Sequence, residues 1–137
     1  MKKLIISGLR TCDRKNTVFT EIDKYIQEIG GTDEIVTGGP EGVGLFAKQY
    51  AEEKGIKYTE FIPDWQSHIN AASFIRDARM AEYGTHLLVL SNGISKESVN
   101  LISEARKNRL TIKTIGVFEG LQVPESGYAG AYPGSFY

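Results

Sequence analysis

Five short apolar runs alternate with stretches of helical periodicity along this chain, and that alternation restricts its fold more than any other feature. Residues 4–7, 34–37, 58–62, 86–90 and 112–118 have strand length and carry apolar and β-branched side chains. Between them, Val18, Ile22, Tyr25, Ile26 and Ile29 recur at helical spacing before Gly30-Gly31, and Val43, Phe46, Ala47, Tyr50 and Ala51 do so before Gly55. The pattern predicts a third helix over 71–82, with Phe74, Ile75 and Ala78 inward, and a fourth marked by Ser98, Leu101, Ile102 and Ala105. The run His86-Leu87-Leu88-Val89-Leu90 lacks polar alternation, as a strand covered on both faces should. Parallel neighbours need crossover connections, and helices placed between strands supply right-handed ones. The expectation is a single α/β domain over residues 1–119, a Rossmann-like, doubly wound, mainly parallel sheet in three layers.

A chain of 137 residues can bury a core without disulfides or metal. Cys12 is the single cysteine, so no intramolecular disulfide and no Cys-x-x-Cys motif exists, and a reducing cytoplasm is the expected location. No apolar stretch approaches membrane-spanning length, and the run after Lys2-Lys3 is too short for a signal peptide. The net charge of −1, from 16 basic and 17 acidic residues, gives no general electrostatic reason to bind nucleic acid. Residues 120–137 differ in composition, with Pro124, Pro133 and several glycines among Tyr128, Tyr132, Phe136 and Tyr137. They predict a tail without regular structure whose aromatics dock on the same subunit or, the preferred reading, on a neighbour in a homo-oligomer.

In open parallel sheets, ligands bind beyond the carboxyl ends of the strands where the strand order reverses. Four segments should meet there: Gly8-Leu9-Arg10-Thr11-Cys12, Gly38-Gly39-Pro40-Glu41-Gly42-Val43-Gly44, Pro63-Asp64-Trp65 and Ser91-Asn92-Gly93. The second has four glycines in seven residues at a strand-to-helix junction. Glycines let backbone amides approach one anion, and the following helix adds the positive end of its dipole, so Gly38, Gly39 and Gly42 predict a phosphate cradle. The same glycines also suit any tight turn between strand and helix.

Arg10 and Arg76 are the expected anion clamps, since a guanidinium can pair two phosphate oxygens in a planar fork. As alternatives, Arg10 pairs with Asp13 or Glu41 on the surface, and Arg76 anchors Asp77. Trp65 could stack on a base or anchor packing. Gly8 and Ser91 end strands at the same edge and complete the ligand-binding set. Cys12, near the expected site, invites a nucleophile reading but reads as incidental, His86 reads as structural and His68 as a rim residue, and two separated histidines make no metal site.

Several segments then fit one pattern in order. Ile6-Ser7-Gly8-Leu9-Arg10, Gly38-Gly39-Pro40-Glu41-Gly42, Asp64-Trp65, Ala72, Arg76 and Met80 resemble the SLOG superfamily, named for the DNA-processing protein DprA/Smf and the LOG phosphoribohydrolases, and within it the small YspA-like branch. Leu9 stands where that branch usually has Ser, Gly44 where Asp is common, Ser73 where it has Gly, and Asp77 where it has Asn. The resemblance implies a nucleotide-binding fold whose ligand is a nucleotide or derivative of the ADP-ribose, NAD or cyclic-nucleotide type, held as by a sensor, carrier or sequestering protein. No other cofactor and no metal is expected.

Two alternatives come from the same relatives. One is an N-glycosidase, which needs a carboxylate to stabilise an oxocarbenium-like centre or activate water; Glu41 and Asp77 are the weak candidates. The phosphoribohydrolase signature Pro-Gly-Gly-x-Gly-Thr-x-x-Glu is absent, and alignment of Lys96-Glu97-Ser98 with the usual Lys-Gly-Thr of the small branch puts Glu97 at the glycine and leaves Leu101 at the carboxylate. The other is a single-stranded DNA-binding module, against which the near-neutral charge counts.

Overall fold

A computed structural model describes residues 1–39, 41–66, 71–91 and 98–116. Elements alternate in chain order as β1 (Lys3–Gly8), α1 (Lys15–Ile29), β2 (Glu34–Thr37), α2 (Val43–Lys54), β3 (Lys57–Glu60), α3 (Ala72–Tyr83), β4 (His86–Ser91), α4 (Val99–Lys107) and β5 (Thr111–Gly116). All four strand pairings are parallel, in the order β3-β2-β1-β4-β5, so the expected Rossmann-like α/β arrangement is present. The chain moves outward from β1 to β2 and β3, then crosses back to β4 on the other side of β1. The strand order therefore reverses between β1 and β4.

Alternation along the strands sorts the core onto two faces. Leu4 and Ile6 of β1, Ile35 of β2, and Leu88 and Leu90 of β4 pack with Val18, Ile22, Val43, Ala47 and Tyr50 from α1 and α2. Their sequence neighbours Ile5, Val36, Leu87 and Val89 meet Met80 of α3 and Leu101, Ile102 and Ala105 of α4. Each fully buried aliphatic side chain contributes about 1.5–3 kcal/mol of transfer free energy. β4 is buried from Leu87 to Ser91, as its unbroken apolar run implies.

Helix ends follow local chemistry. α1 stops at Gly30, left-handed at φ 82°, whose N–H reaches the Gln27 carbonyl while Gly31 N–H reaches that of Ile26. β3 ends at Glu60 rather than at Ile62: Phe61 N–H still bonds the Thr37 carbonyl, but Pro63 has no N–H to continue the ladder, and Ile62 is exposed. α3 also departs from its predicted face. Phe74 is 57% exposed, Ile75 and Ala78 are only half-buried, and the buried set is Ala72, Asp77, Met80 and Ala81. A polar pair, described below, takes inward positions that an apolar pattern could not reveal.

At the amino end of the sheet, Glu34 is buried with Tyr83 OH donating to Oε2 at 2.6 Å, Thr59 Oγ1 donating at 2.5 Å, and Lys57 Nζ 3.6 Å from Oε1. Burial raises its pKa, but these two hydrogen bonds and the charges of Lys57 and Lys3 outweigh it, so the carboxyl lies below its usual range. The tail 120–137, His68, Asn92, Gly93 and Glu97 lie outside the described residues, as does the predicted extension of β5 to Phe118.

Candidate functional site

A cleft of about 240 Å³ opens at the carboxyl ends of β1, β2 and β3, beside the point of strand-order reversal. Its walls come from the end of β1 (Ile6, Ser7, Gly8), the turn before α2 (Gly38, Gly39, Glu41, with Gly44), the segment after β3 (Ile62, Pro63, Trp65), the inner face of α3 (Ser73, Arg76, Asp77, Met80) and Leu101 of α4, with Arg10 beside them. The structure thus brings together Gly8, Arg10, Gly38, Gly39, Glu41, Trp65, Arg76 and Asp77 from the sequence reading. Gly42 and Ser91 do not line the cleft; Ser91 is buried at the end of β4.

The glycine turn is built differently from a simple amide cradle. Val43 N–H, the first amide of α2, donates to the Leu9 carbonyl at 3.0 Å, and Gly44 N–H donates to the Glu41 carbonyl at 3.0 Å. Two amides at the helix start are therefore engaged within the protein. Gly42 sits at φ 54° and ψ −120°, and a Cβ there would run into the carbonyls of Leu9 and Arg10. Its glycine is required by two loops packed backbone to backbone.

The charged centre of the cleft is Arg76, whose side chain is 15% exposed. Its Nε–H donates to Asp77 Oδ1 at 2.8 Å and its Nη1–H to the Gly38 carbonyl at 2.6 Å. Asp77 Oδ2 accepts from Asn100 Nδ2 of α4 at 3.0 Å. A guanidinium has five N–H donors in one plane, and among the described residues no acceptor meets Nη2. At the cleft mouth, Trp65 is 56% exposed and Ile62 72% exposed, an apolar rim opposite the polar floor. Ser7 Oγ lies 2.8 Å from Ser98 Oγ, so the residue preceding α4 ties to β1 instead of capping its own helix.

Other reactive side chains stand apart. Cys12 is half-buried against the α1 and α2 core, and burial pushes its thiol up, which favours the unreactive thiol over thiolate. His86 opens β4 at the amino end of the sheet, with Nδ1 2.8 Å from Thr85 Oγ1, and burial lowers its pKa. Among the described residues no group of three or more His, Cys, Asp or Glu side chains could hold a metal ion, and no helix is long and apolar enough to cross a membrane.

β1, the glycine turn and Asp64-Trp65 all fall within residues 2–68, which match the model of the YspA, cpYpsA-related SLOG family. Over that stretch the chain is similar to this SLOG family. No curated protein and no solved structure matches the chain. The matched stretch holds the glycine-turn wall of the cleft, whereas Ser73, Arg76, Asp77, Met80 and Leu101 lie beyond it.

The departures from the SLOG branch pattern acquire physical reasons. Leu9 packs its side chain against the core while its backbone bonds both Leu90 and Val43. Gly44 passes so close to the Gly39 carbonyl that no aspartate would fit without moving the turn. Sequence reasoning missed Ser7, Ile62 and Met80 as cleft residues, and it missed Asn100 altogether. Asn100 carries no motif, so only the packing of α3 on α4 reveals it.

Proposed function

We propose that the cleft binds a nucleotide or nucleotide derivative of the ADP-ribose, NAD or cyclic-nucleotide type, and that the protein acts as a sensor, carrier or sequestering protein. The observation that carries this reading is the half-buried Arg76 guanidinium, held at Nε and Nη1 on the wall of a cleft at the switch point of a SLOG-type sheet. An arginine held this way offers a charged hydrogen bond to phosphate at little ordering cost. Trp65 supplies a ring face at the rim for a base. The anion is held chiefly by guanidinium groups rather than by the start of α2, whose first two amides already have protein partners.

No observation favours the N-glycosidase reading. Both Asp77 oxygens accept hydrogen bonds, from Arg76 and Asn100, and Leu101 is buried and apolar at the position where the phosphoribohydrolases carry their carboxylate. Glu41 is exposed on the turn. A thermal-shift screen against ADP-ribose, NAD, AMP, cyclic AMP and adenosine tests the proposal. Ligand at about 100 times Kd adds about 2.7 kcal/mol, a rise of several degrees for a domain of this size. A shift with phosphorylated compounds, absent with adenosine and lost in Arg76→Ala, is expected. Equal shifts with adenosine, or none with any compound, would remove the reading.

A further inference from the structure

Arg76 and Asp77 are adjacent on α3, and adjacent helical residues do not face one another. The guanidinium nevertheless curls back so that Nε–H meets Asp77 Oδ1 at 2.8 Å. Asp77 is 7% exposed, and a buried carboxylate needs a partner on each oxygen. The second partner is Asn100 Nδ2 of α4, at 3.0 Å from Oδ2. At the far edge of the guanidinium, Nη1–H holds the Gly38 carbonyl at 2.6 Å. Four groups therefore run in one chain from α4 through α3 to the glycine turn, and Arg76 lines the cleft with Nη2 left outside that chain. Gly38 makes room for this arrangement, since a Cβ there would fall 2.7 Å from Nη1.

The geometry points to Asp77 and Asn100 as positioning residues: Asn100 fixes the Asp77 carboxylate, Asp77 fixes the Nε edge of Arg76, and Arg76 then presents Nη2 to a ligand phosphate while Nη1 holds the turn. The phosphate contact rests on the proposed nucleotide site; the positioning of Arg76 does not. Asp77 is thus assigned an orienting role, and a residue on α4 without a place on the cleft wall sets the cleft's charged edge.

The test uses the full chain and two readouts. The first, without ligand, is hydrogen exchange of the Arg76 Nε–H followed by ¹⁵N NMR. Asn100→Asp sets two carboxylates against each other and should speed exchange about tenfold or more, the loss of one charged hydrogen bond. The double variant Asp77→Asn/Asn100→Asp reverses the polarity of the pair, the new amide on α3 accepting from Nε and donating to the new carboxylate on α4, and should restore slow exchange. The milder Asn100→Ala, expected to give an intermediate rate, serves if Asn100→Asp does not fold. The second readout is the Kd for ADP-ribose, which should weaken about tenfold in Asn100→Asp and recover in the double variant. Unchanged Nε–H exchange in both folded Asn100 variants, or a folded double variant that fails to recover slow exchange, would overturn the positioning role. Absence of ADP-ribose binding by the unmodified protein would instead count against the functional reading, with the exchange readout still deciding the role of Asp77 and Asn100.

Discussion

Replacement of Gly42 by alanine separates a glycine needed for packing from one needed only for its backbone angle. At φ 54° and ψ −120° an alanine is outside the regions open to L-residues, a cost of about 1–3 kcal/mol. Its Cβ would also press on the backbone carbonyls of Leu9 and Arg10, neither of which can rotate away, and forced shifts of this kind cost about 1–3 kcal/mol. Together these give about 4 kcal/mol, a large part of the roughly 5–15 kcal/mol that holds a typical domain. For 137 residues this corresponds to a fall in Tm of about 16 °C. Gly55 is the matched control: φ is 66°, but a Cβ there would meet nothing within 4 Å. Gly55→Ala should therefore cost about 1–2 kcal/mol and about 4–8 °C. Differential scanning calorimetry on both variants measures the difference directly. A Gly42→Ala protein melting at or above Gly55→Ala would refute the contact between the β1–α1 loop and the glycine turn.

Three more perturbations probe other parts of the account. Because Glu34 has a lowered folded-state pKa, its contribution to stability is present above the unfolded carboxylate pKa of about 4.3 and is lost as pH falls through the lower folded value; Glu34→Gln should flatten the acid limb of a stability-versus-pH curve and cost about 1–3 kcal/mol at neutral pH by urea titration. Gly38→Ala should displace the Arg76 guanidinium, so nucleotide affinity measured by calorimetric titration should drop while the fold holds. On α3, Phe74→Ser should change stability by less than about 0.5 kcal/mol, whereas Met80→Ala should cost about 2–5 kcal/mol; comparable losses would contradict the observed inner face.

The sheet was legible because its signals are local and repeated. The unbroken run of β4, the glycine stops of α1 and α2, and the helical spacing of Val18, Ile22 and Tyr25 each specify one element without reference to the rest. The site was legible in part, since strand ends in a parallel sheet converge whatever their sequence, which brought Gly8, Gly38 and Trp65 to one cleft. What sequence could not supply was the set of partners across elements. Asp77 lies inward on α3 and Phe74 outward because Asn100, 23 residues further along, satisfies the buried carboxylate. Gly42 also carries a packing demand that its own segment does not reveal, because the clash that excludes a side chain comes from Leu9 and Arg10 on a different loop.

The central claim is that a phosphorylated nucleoside derivative occupies the cleft beside Arg76. A ¹H–¹⁵N NMR titration with ADP-ribose, following the backbone amides and the Arg76 Nε–H together, tests it most directly. The account predicts saturable shifts concentrated at Gly8, Gly38, Gly39, Trp65 and the Arg76 Nε–H, with the α1 surface and the amino end of the sheet unmoved. Shifts confined to residues away from these, or none for ADP-ribose, NAD, AMP or cyclic AMP at millimolar concentration, would contradict it.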